Sequence, residues 1–141
     1  MINTKRMLLM VWILFTITGG VLIANNIYNT KTANIASITP NIVTSSSTLL
    51  NEYSTDENTA NSKYLDQIIE VSGKISELDT VNGKAIVLLS DNSFSGNVIC
   101  HISPEEKQKI TSLKKDQDVT IKGVCTGYLM DVILIQCILI N

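Results

Sequence analysis

The stretch Gln67–Leu78, which reads QIIEVSGKISEL, decides how the folded part of this chain is built. Ile69, Val71 and Ile75 alternate with polar residues, and a period of two is typical of a strand with one buried face. Gly73 lies in the middle of this strand, where glycine otherwise weakens pairing but suits the sharp coiling of a small barrel. The stretch therefore predicts the first strand of a strongly curved β structure.

Four more strands are predicted downstream, in short runs that turn signals separate. Val81–Lys84 contains an Asn-Gly pair, which favours a hairpin because both residues tolerate positive φ. The further strands are predicted at 85–89, 97–102, 118–126 and 131–140. Ser103–Glu106 opens a helix, with proline at the first position and acids in the first turn. Three strands, a helix and two strands predict a mainly β fold, the five-stranded OB-fold barrel with a helix between strands three and four.

A helix is also predicted before the barrel. Apolar residues recur there at helical spacing, at Leu49, Tyr53, Ala60 and Tyr64. Ser45–Ser47 offer hydroxyl caps for this helix, and its tyrosines are expected to pack rather than to stack on a ligand. We assign residues 48–141 to the OB-fold domain with its N-terminal helix. Residues 25–47 are rich in Asn, Thr, Ser and Ala without a period, which predicts a linker.

The N-terminal block Met7–Ala24 has no ionisable residue. A helix there would be about 27 Å long, close to the thickness of a bilayer core. Lys5 and Arg6 precede the block and no acid occurs before Glu52, so the positive-inside rule makes residues 1–6 a cytoplasmic tip. The sequence predicts an uncleaved signal anchor, a transmembrane helix that holds the C-terminal domain outside the cytoplasm, in the periplasm.

A cleaved signal peptide is the alternative for the same block. Cleavage needs small residues at the last position and two positions before it. Ala24 meets the first requirement, but Leu22 does not meet the second, so we favour the anchor.

The charge balance argues against ordinary nucleic-acid binding. From Thr30 onward the chain has nine lysines, no arginine and thirteen acids, a formal charge of nine minus thirteen, or −4. Binding to a phosphate backbone is driven by clustered cations. Single-strand binders also stack bases on aromatic rings, and the β region offers only Phe94 and Tyr128, both predicted in loops. Nucleic acid is therefore a disfavoured partner.

No motif for catalysis, a cofactor or a metal is recognised. His101 is the only histidine, and it falls on the predicted outward face of the third strand. The chain has no nucleophile elbow, Gly-rich phosphate loop or histidine pair, so we expect no enzyme activity. A calcium site is a minor alternative, because loop carboxylates suit this ion. Its ligands would be Asp79, Asp91 and Asp131.

The three cysteines are all predicted to point inward by strand parity. Cys100, Cys125 and Cys137 are either three small core groups or one disulfide with one buried thiol. An extracytoplasmic compartment permits the disulfide. No CxxC spacing occurs, which argues against thioredoxin-like chemistry or a zinc ribbon.

These observations predict a membrane-tethered, non-enzymatic OB-fold binding module whose ligand is unknown. Its groove is expected on the second and third barrel strands and the adjoining loops. The candidate ligand contacts are Lys74, Phe94, His101, Lys122 and Tyr128. The partners are the membrane, through Met7–Ala24, and an unknown envelope protein or small ligand. The alternative function is that of an envelope interaction or scaffold protein.

Four segments carry a family resemblance, namely Tyr64–Gln67, Ile69–Lys74, Val119–Tyr128 and Asp131–Cys137. From about Leu49 to Cys137 the chain resembles the tRNA-anticodon-like OB-fold lipoproteins, which are small bacterial envelope proteins. The resemblance implies an OB-fold and, by analogy, single-stranded nucleic-acid binding as a second alternative function. It also contributes to the choice of Cys125–Cys137 as the candidate disulfide. The chain departs from the lipoprotein pattern because no lipid-acceptor cysteine follows the apolar block.

Overall fold

The computed structural model describes residues 19–20, 35–90 and 95–140. The chain divides into two compact units, Met1–Ala33 and Asn34–Asn141. Only Gly19 and Gly20 of the first unit are described, and both are helical. The elements below belong to the second unit.

The second unit is built mainly from strands. In chain order its elements are β1 (Ile42–Ser45), α1 (Ser46–Thr55), α2 (Glu57–Tyr64), β2 (Ile68–Val81), β3 (Lys84–Ser90), β4 (Val98–Ile102), α3 (Lys107–Ile110), β5 (Asp118–Leu129) and β6 (Asp131–Leu139). Short 3₁₀ turns occupy Ile35–Ser37 and Pro104–Glu106.

Strands β2 to β6 close into a barrel. The long strand β2 pairs antiparallel with β5 through its first half and with β3 through its second half. β3 then pairs with β4, β4 runs parallel to β6, and β6 returns antiparallel to β5. This closed five-stranded order, with α3 between β4 and β5, is that of the OB-fold. The predicted mainly β barrel is therefore confirmed, and Asn82 and Gly83 form its first hairpin with positive φ.

Two mid-strand glycines have a steric role beyond barrel coiling. A Cβ atom on Gly73 would lie 2.5 Å from the Ser46 hydroxyl oxygen. A Cβ atom on Gly123 would lie 2.7 Å from the Cys137 sulfur. Both strands therefore need glycine so that a neighbouring side chain can lie against the backbone.

The helix predicted before the barrel is present but divided in two. Ser45 caps α1 by accepting a hydrogen bond from the Thr48 N–H. Asp56 ends α1 in an extended conformation, and its carboxylate then caps α2 by accepting from the Thr59 N–H. An aspartate that bonds the backbone ahead of it competes with helix continuation, which explains the break. Leu49 and Leu50 of α1 are buried in the core.

Strand β1 lies inside the segment predicted as a linker. It runs parallel to β2, and Ile42 is the partner of Ile69. Four residues without strict alternation give no strand signal on their own. The short strand β1 forms because the barrel strand β2 offers an edge with which it can pair.

The prediction of a membrane anchor is wrong. In residues 19–20, 35–90 and 95–140, no helix is long and apolar enough to cross a bilayer. The helix α1, with its 10 residues, is about 15 Å long, half of a bilayer core. This finding overturns the transmembrane helix over Met7–Ala24, the signal anchor and the single-pass membrane location. Apart from Gly19 and Gly20, residues 1–24 lie outside the described residues.

An ion pair joins α1 to α2 and makes a testable contribution to stability. The Lys63 ammonium lies 2.8 Å from the Glu52 carboxylate. This hydrogen bond lowers the pKa of Glu52 below its ordinary 4.5 and raises the pKa of Lys63 above its ordinary 10.5. The pair therefore stabilises the fold between these two values, and its contribution is lost as pH falls through the lowered pKa of Glu52.

We expect Glu52→Gln to lower the free energy of unfolding at pH 7 by only about 0.5 kcal/mol, because water screens an exposed pair. The loss should shrink as urea unfolding is repeated toward pH 3. Glu77→Gln is the control, since Glu77 is exposed and forms no ion pair within the described residues. An equal loss at every pH would contradict the electrostatic explanation.

Candidate ligand-binding surface

The outer face of β3 and β4 is the region where OB-folds bind their ligands. Ile86 pairs with His101 and Leu88 pairs with Ile99 across these strands. The intervening Val87 is fully buried in the core, so these four side chains point outward. All four are half-buried. Three of the four groups that a ligand would meet are thus aliphatic.

The neighbouring strands extend this face on both sides. On β6, Ile133 pairs with Ile99 and continues the apolar row. We call Ile86, Leu88, Ile99 and Ile133 the aliphatic strip. On β2, the exposed Glu77 and Asp79 pair with members of the strip, and Lys84 occupies the hairpin end of β3. The strip is therefore bordered mainly by carboxylates.

Two hairpins flank the aliphatic strip with further apolar side chains. Val81, at the β2–β3 turn, is 46% exposed, and Leu129 and Met130, at the β5–β6 turn, are each 81% exposed. Asp131 fixes the second hairpin by accepting a 2.7 Å hydrogen bond from the Asn97 N–H. Exposed apolar side chains grouped around one face are typical of interaction sites.

Only one of the three predicted ring contacts lies on the described face. His101 points outward on β4, as the strand parity predicted. Phe94 lies outside the described residues. Tyr128 belongs to β5 rather than to a loop, and its ring stacks on the buried Tyr53 with centroids 5.3 Å apart. Tyr128 therefore packs against the core, because α1 covers that part of the barrel.

The predicted lysine contacts do not form a basic patch. Lys74 is exposed and lies 3.4 Å from the Asp118 carboxylate. Lys122 is only 5% exposed and donates hydrogen bonds to the backbone carbonyls of Ala36 and Ile38. Strand parity placed Lys122 outside the barrel, but the N-terminal 3₁₀ turn covers it. Its ammonium therefore anchors that turn and is not free for a ligand.

The three cysteines are buried, and all are free thiols in the structure. The Cys125 sulfur lies 3.5 Å from the Tyr53 hydroxyl. Cys137 interacts instead with Cys100, and burial raises the pKa of the Cys137 thiol well above its ordinary value. The structure thus gives Cys125 and Cys137 different partners, and the Cys125–Cys137 disulfide stays a prediction.

The suggested calcium ligands are not brought together. Asp79 pairs with Ile86 at the start of β3, whereas Asp131 lies at the end of the barrel where β3 finishes. Asp91 lies outside the described residues. Within the described residues no group of three His, Cys, Asp or Glu side chains could hold a metal ion.

Sequence reasoning missed the aliphatic character of this surface, although its signals were present. Ile86, Leu88 and Ile99 alternate with the buried residues of the same strands. Leu129 and Met130 form an apolar pair directly before Asp131. Their grouping needs the register between β3, β4 and β6, which strand patterns alone do not define.

The closed barrel with this strand order defines the chain as an OB-fold domain, a class of binding modules. The sequence model of the tRNA_anti-like family matches residues 1–139. The chain belongs to the tRNA_anti-like family, so the predicted resemblance is confirmed. No curated protein matches it significantly.

The chain is similar to solved structures at low sequence identity. A Klebsiella pneumoniae protein, provisionally described as a nucleic acid-binding lipoprotein, is similar with 19% identity and a TM-score of 0.58. The match covers 76% of this chain and 95% of that one. The Stn1-Ten1 complex of S. pombe is similar at 22% identity and a TM-score of 0.40, over 48% of this chain and 52% of the matched chain. The Klebsiella pneumoniae match, at under 25% identity, shows a shared fold alone.

Proposed function

We propose that this chain is a non-enzymatic binding module that holds an extended protein segment on the aliphatic strip. The observation that carries the proposal is the composition of the face where OB-folds bind ligands. It presents four aliphatic side chains bordered by Glu77 and Asp79. A segment with alternating aliphatic residues and flanking lysine or arginine complements both the apolar surface and the carboxylates.

The same face gives little support to stacking or phosphate binding. Base stacking needs exposed aromatic rings. Tyr128, the tyrosine predicted as a ligand contact, packs on Tyr53 instead. Phosphate backbones need clustered cations, whereas Lys122 is buried and Lys74 is paired with Asp118. A protein partner is therefore the better fit to this surface.

A non-enzymatic role is supported by the family, because OB-fold domains are a class of binding modules. His101 lies among aliphatic neighbours on the outer face, opposite Ile86. We assign His101 to that contact surface and give it no catalytic role.

Single-stranded nucleic-acid binding is the second candidate function, and the family favours it. The tRNA_anti-like family model covers almost the whole chain, and the Klebsiella pneumoniae neighbour is described as nucleic acid-binding. That neighbour is also described as a lipoprotein, so envelope proteins are the partners that we would screen first.

The two candidate functions predict different ligands for the full chain, an extended peptide or a single-stranded oligonucleotide. A library of extended seven-residue peptides, selected against the chain, should yield alternating aliphatic sequences with basic ends. Replacing Leu88 and Ile99 together by threonine should weaken a selected peptide about tenfold, since a few buried apolar contacts carry most of the affinity. Fluorescence anisotropy of the labelled peptide measures this change.

Val43→Thr is the matched control, because Val43 is an exposed β-branched residue on β1, away from the strip. It should leave peptide affinity unchanged. Salt-sensitive binding of a labelled oligothymidylate that does not depend on Leu88 and Ile99 would contradict the proposal and favour the second candidate.

A further inference from the structure

A groove of about 940 Å³ opens beside the N terminus of α1. It shares no residue with the aliphatic strip. Its polar lining includes Ser46, Lys74, Lys115, Asp116 and Asp118. The groove is thus a separate polar cavity between α1, β2 and the segment that leads into β5.

Ser46 marks the inner wall of this groove. Only 4% of the residue is exposed, and its hydroxyl has no hydrogen-bond partner in the part of the chain that the structure describes. Its oxygen lies so close to Gly73 that a Cβ atom there would be 2.5 Å away. Buried polar side chains normally have a partner. The Ser46 hydroxyl is therefore available to a group that enters the groove.

The electrostatic surroundings of Ser46 favour an anion. Helix α1 has no acidic residue in its first turn, so no carboxylate of the helix itself neutralises its positive end. First-turn N–H groups lack partners within the helix, and Ser45 accepts from only one of them, that of Thr48. Such a helix end with a neighbouring hydroxyl is suited to oxyanions.

The charged side chains of the groove leave one cation available. Lys74 lies 3.4 Å from Asp118, which neutralises that pair. Lys115 is exposed and has no ion-pair partner among the described residues. Asp116, also exposed, is the one lining carboxylate without such a partner, and its charge opposes an anion. Because Lys115 and Asp116 have opposite charges, neutralising the lysine should weaken anion binding and neutralising the aspartate should strengthen it.

We propose that this groove binds a single phosphate group, either free or as a phosphomonoester. The Ser46 hydroxyl and the first turn of α1 donate hydrogen bonds to its oxygens, and Lys115 supplies the compensating charge. The site is independent of the aliphatic strip.

Equilibrium dialysis of the full chain against radiolabelled inorganic phosphate tests the site. Ser46→Ala and Lys115→Gln should each weaken binding about tenfold, since each removes a charge-assisted contact. Asp116→Asn should strengthen binding, which no loss of folding could imitate. Competition by glycerol 3-phosphate would identify a phosphomonoester as an accepted form, and its failure would restrict the site to free phosphate.

Three results would overturn the proposal. The first is the absence of saturable phosphate binding by the unmodified chain. The second is an affinity that Ser46→Ala and Lys115→Gln both leave unchanged while sodium chloride at equal ionic strength displaces the phosphate. The third is equally effective competition by glucose, which would assign the groove to neutral hydroxyl-rich ligands.

Discussion

Tyr53→Ala is expected to lower the free energy of unfolding by about 4 kcal/mol, the range of large aromatic truncations in cores. Tyr53 is 2% exposed and joins helix α1 to the barrel. Its ring stacks on Tyr64 at 5.9 Å and on Tyr128 at 5.3 Å. Removal of the Tyr53 ring leaves a cavity between α1, α2 and β5, which close-packed neighbours cannot readily fill.

The hydroxyl of Tyr53 should contribute much less than its ring. It lies 3.5 Å from the Cys125 sulfur, a weak hydrogen-bond partner. Burial raises the pKa of Tyr53 well above its ordinary value, so the phenol stays neutral in ordinary buffers. We expect Tyr53→Phe to cost about 1 kcal/mol.

Urea unfolding followed by far-ultraviolet circular dichroism measures both changes. Tyr128→Ala serves as the matched control, because Tyr128 is half-buried and stacks on the same ring. It should cost less than Tyr53→Ala, and the double variant should cost less than the sum of the two. A loss of under about 1 kcal/mol for Tyr53→Ala would mean that α1 is not part of the cooperative unit.

The barrel could be predicted from local patterns because most of its strands alternate buried residues with less buried ones. Ile69, Val71 and Ile75 are fully buried, and the polar residues between them are not. The Asn-Gly hairpin and the helix after Ser103 likewise depend on short-range chemistry. These signals lie within a few residues of each other, so the sequence alone carries them.

The positions of the candidate site residues were harder to predict because they depend on contacts between distant segments. Lys122 alternates as an outward strand residue, yet the turn that covers it lies more than eighty residues earlier. Tyr128 looked like a loop residue because Gly127 and the hairpin follow the usual turn chemistry. Its inward packing depends on Tyr53 of helix α1, which lies far from it in the sequence.

Gly123, in the middle of β5, is also explained by a contact with a distant segment, and its substitution should strongly destabilise the fold. Gly123→Ala should lower the free energy of unfolding by about 2 kcal/mol, a typical cost of overpacking a core. The new Cβ atom would meet the Cys137 sulfur at 2.7 Å and the Ile135 carbonyl oxygen at 3.1 Å. Neither neighbour can move freely, because both belong to β6, which pairs with β5 on either side of an irregularity at Gly123.

Removal of the sulfur should relieve most of this strain. In a Cys137→Ala background, Gly123→Ala should cost less than about 1 kcal/mol, since the nearest obstructing atom is gone. The comparison needs the urea unfolding midpoints of six proteins, because the native, Cys137→Ala and Cys100→Ala backgrounds are each measured with and without Gly123→Ala. Cys100→Ala is the matched control, because Cys100 is an equally buried thiol beside Cys137 and is not among the three atoms nearest to a Cβ at Gly123.

The outcome decides why β5 carries glycine at this position. If Gly123 serves only the coiling of the barrel, its substitution should cost the same in the native, Cys137→Ala and Cys100→Ala backgrounds. If close approach of the Cys137 sulfur requires it, only Cys137→Ala should reduce the cost, because double-variant coupling is confined to residues in contact. The 2.7 Å separation favours the second outcome.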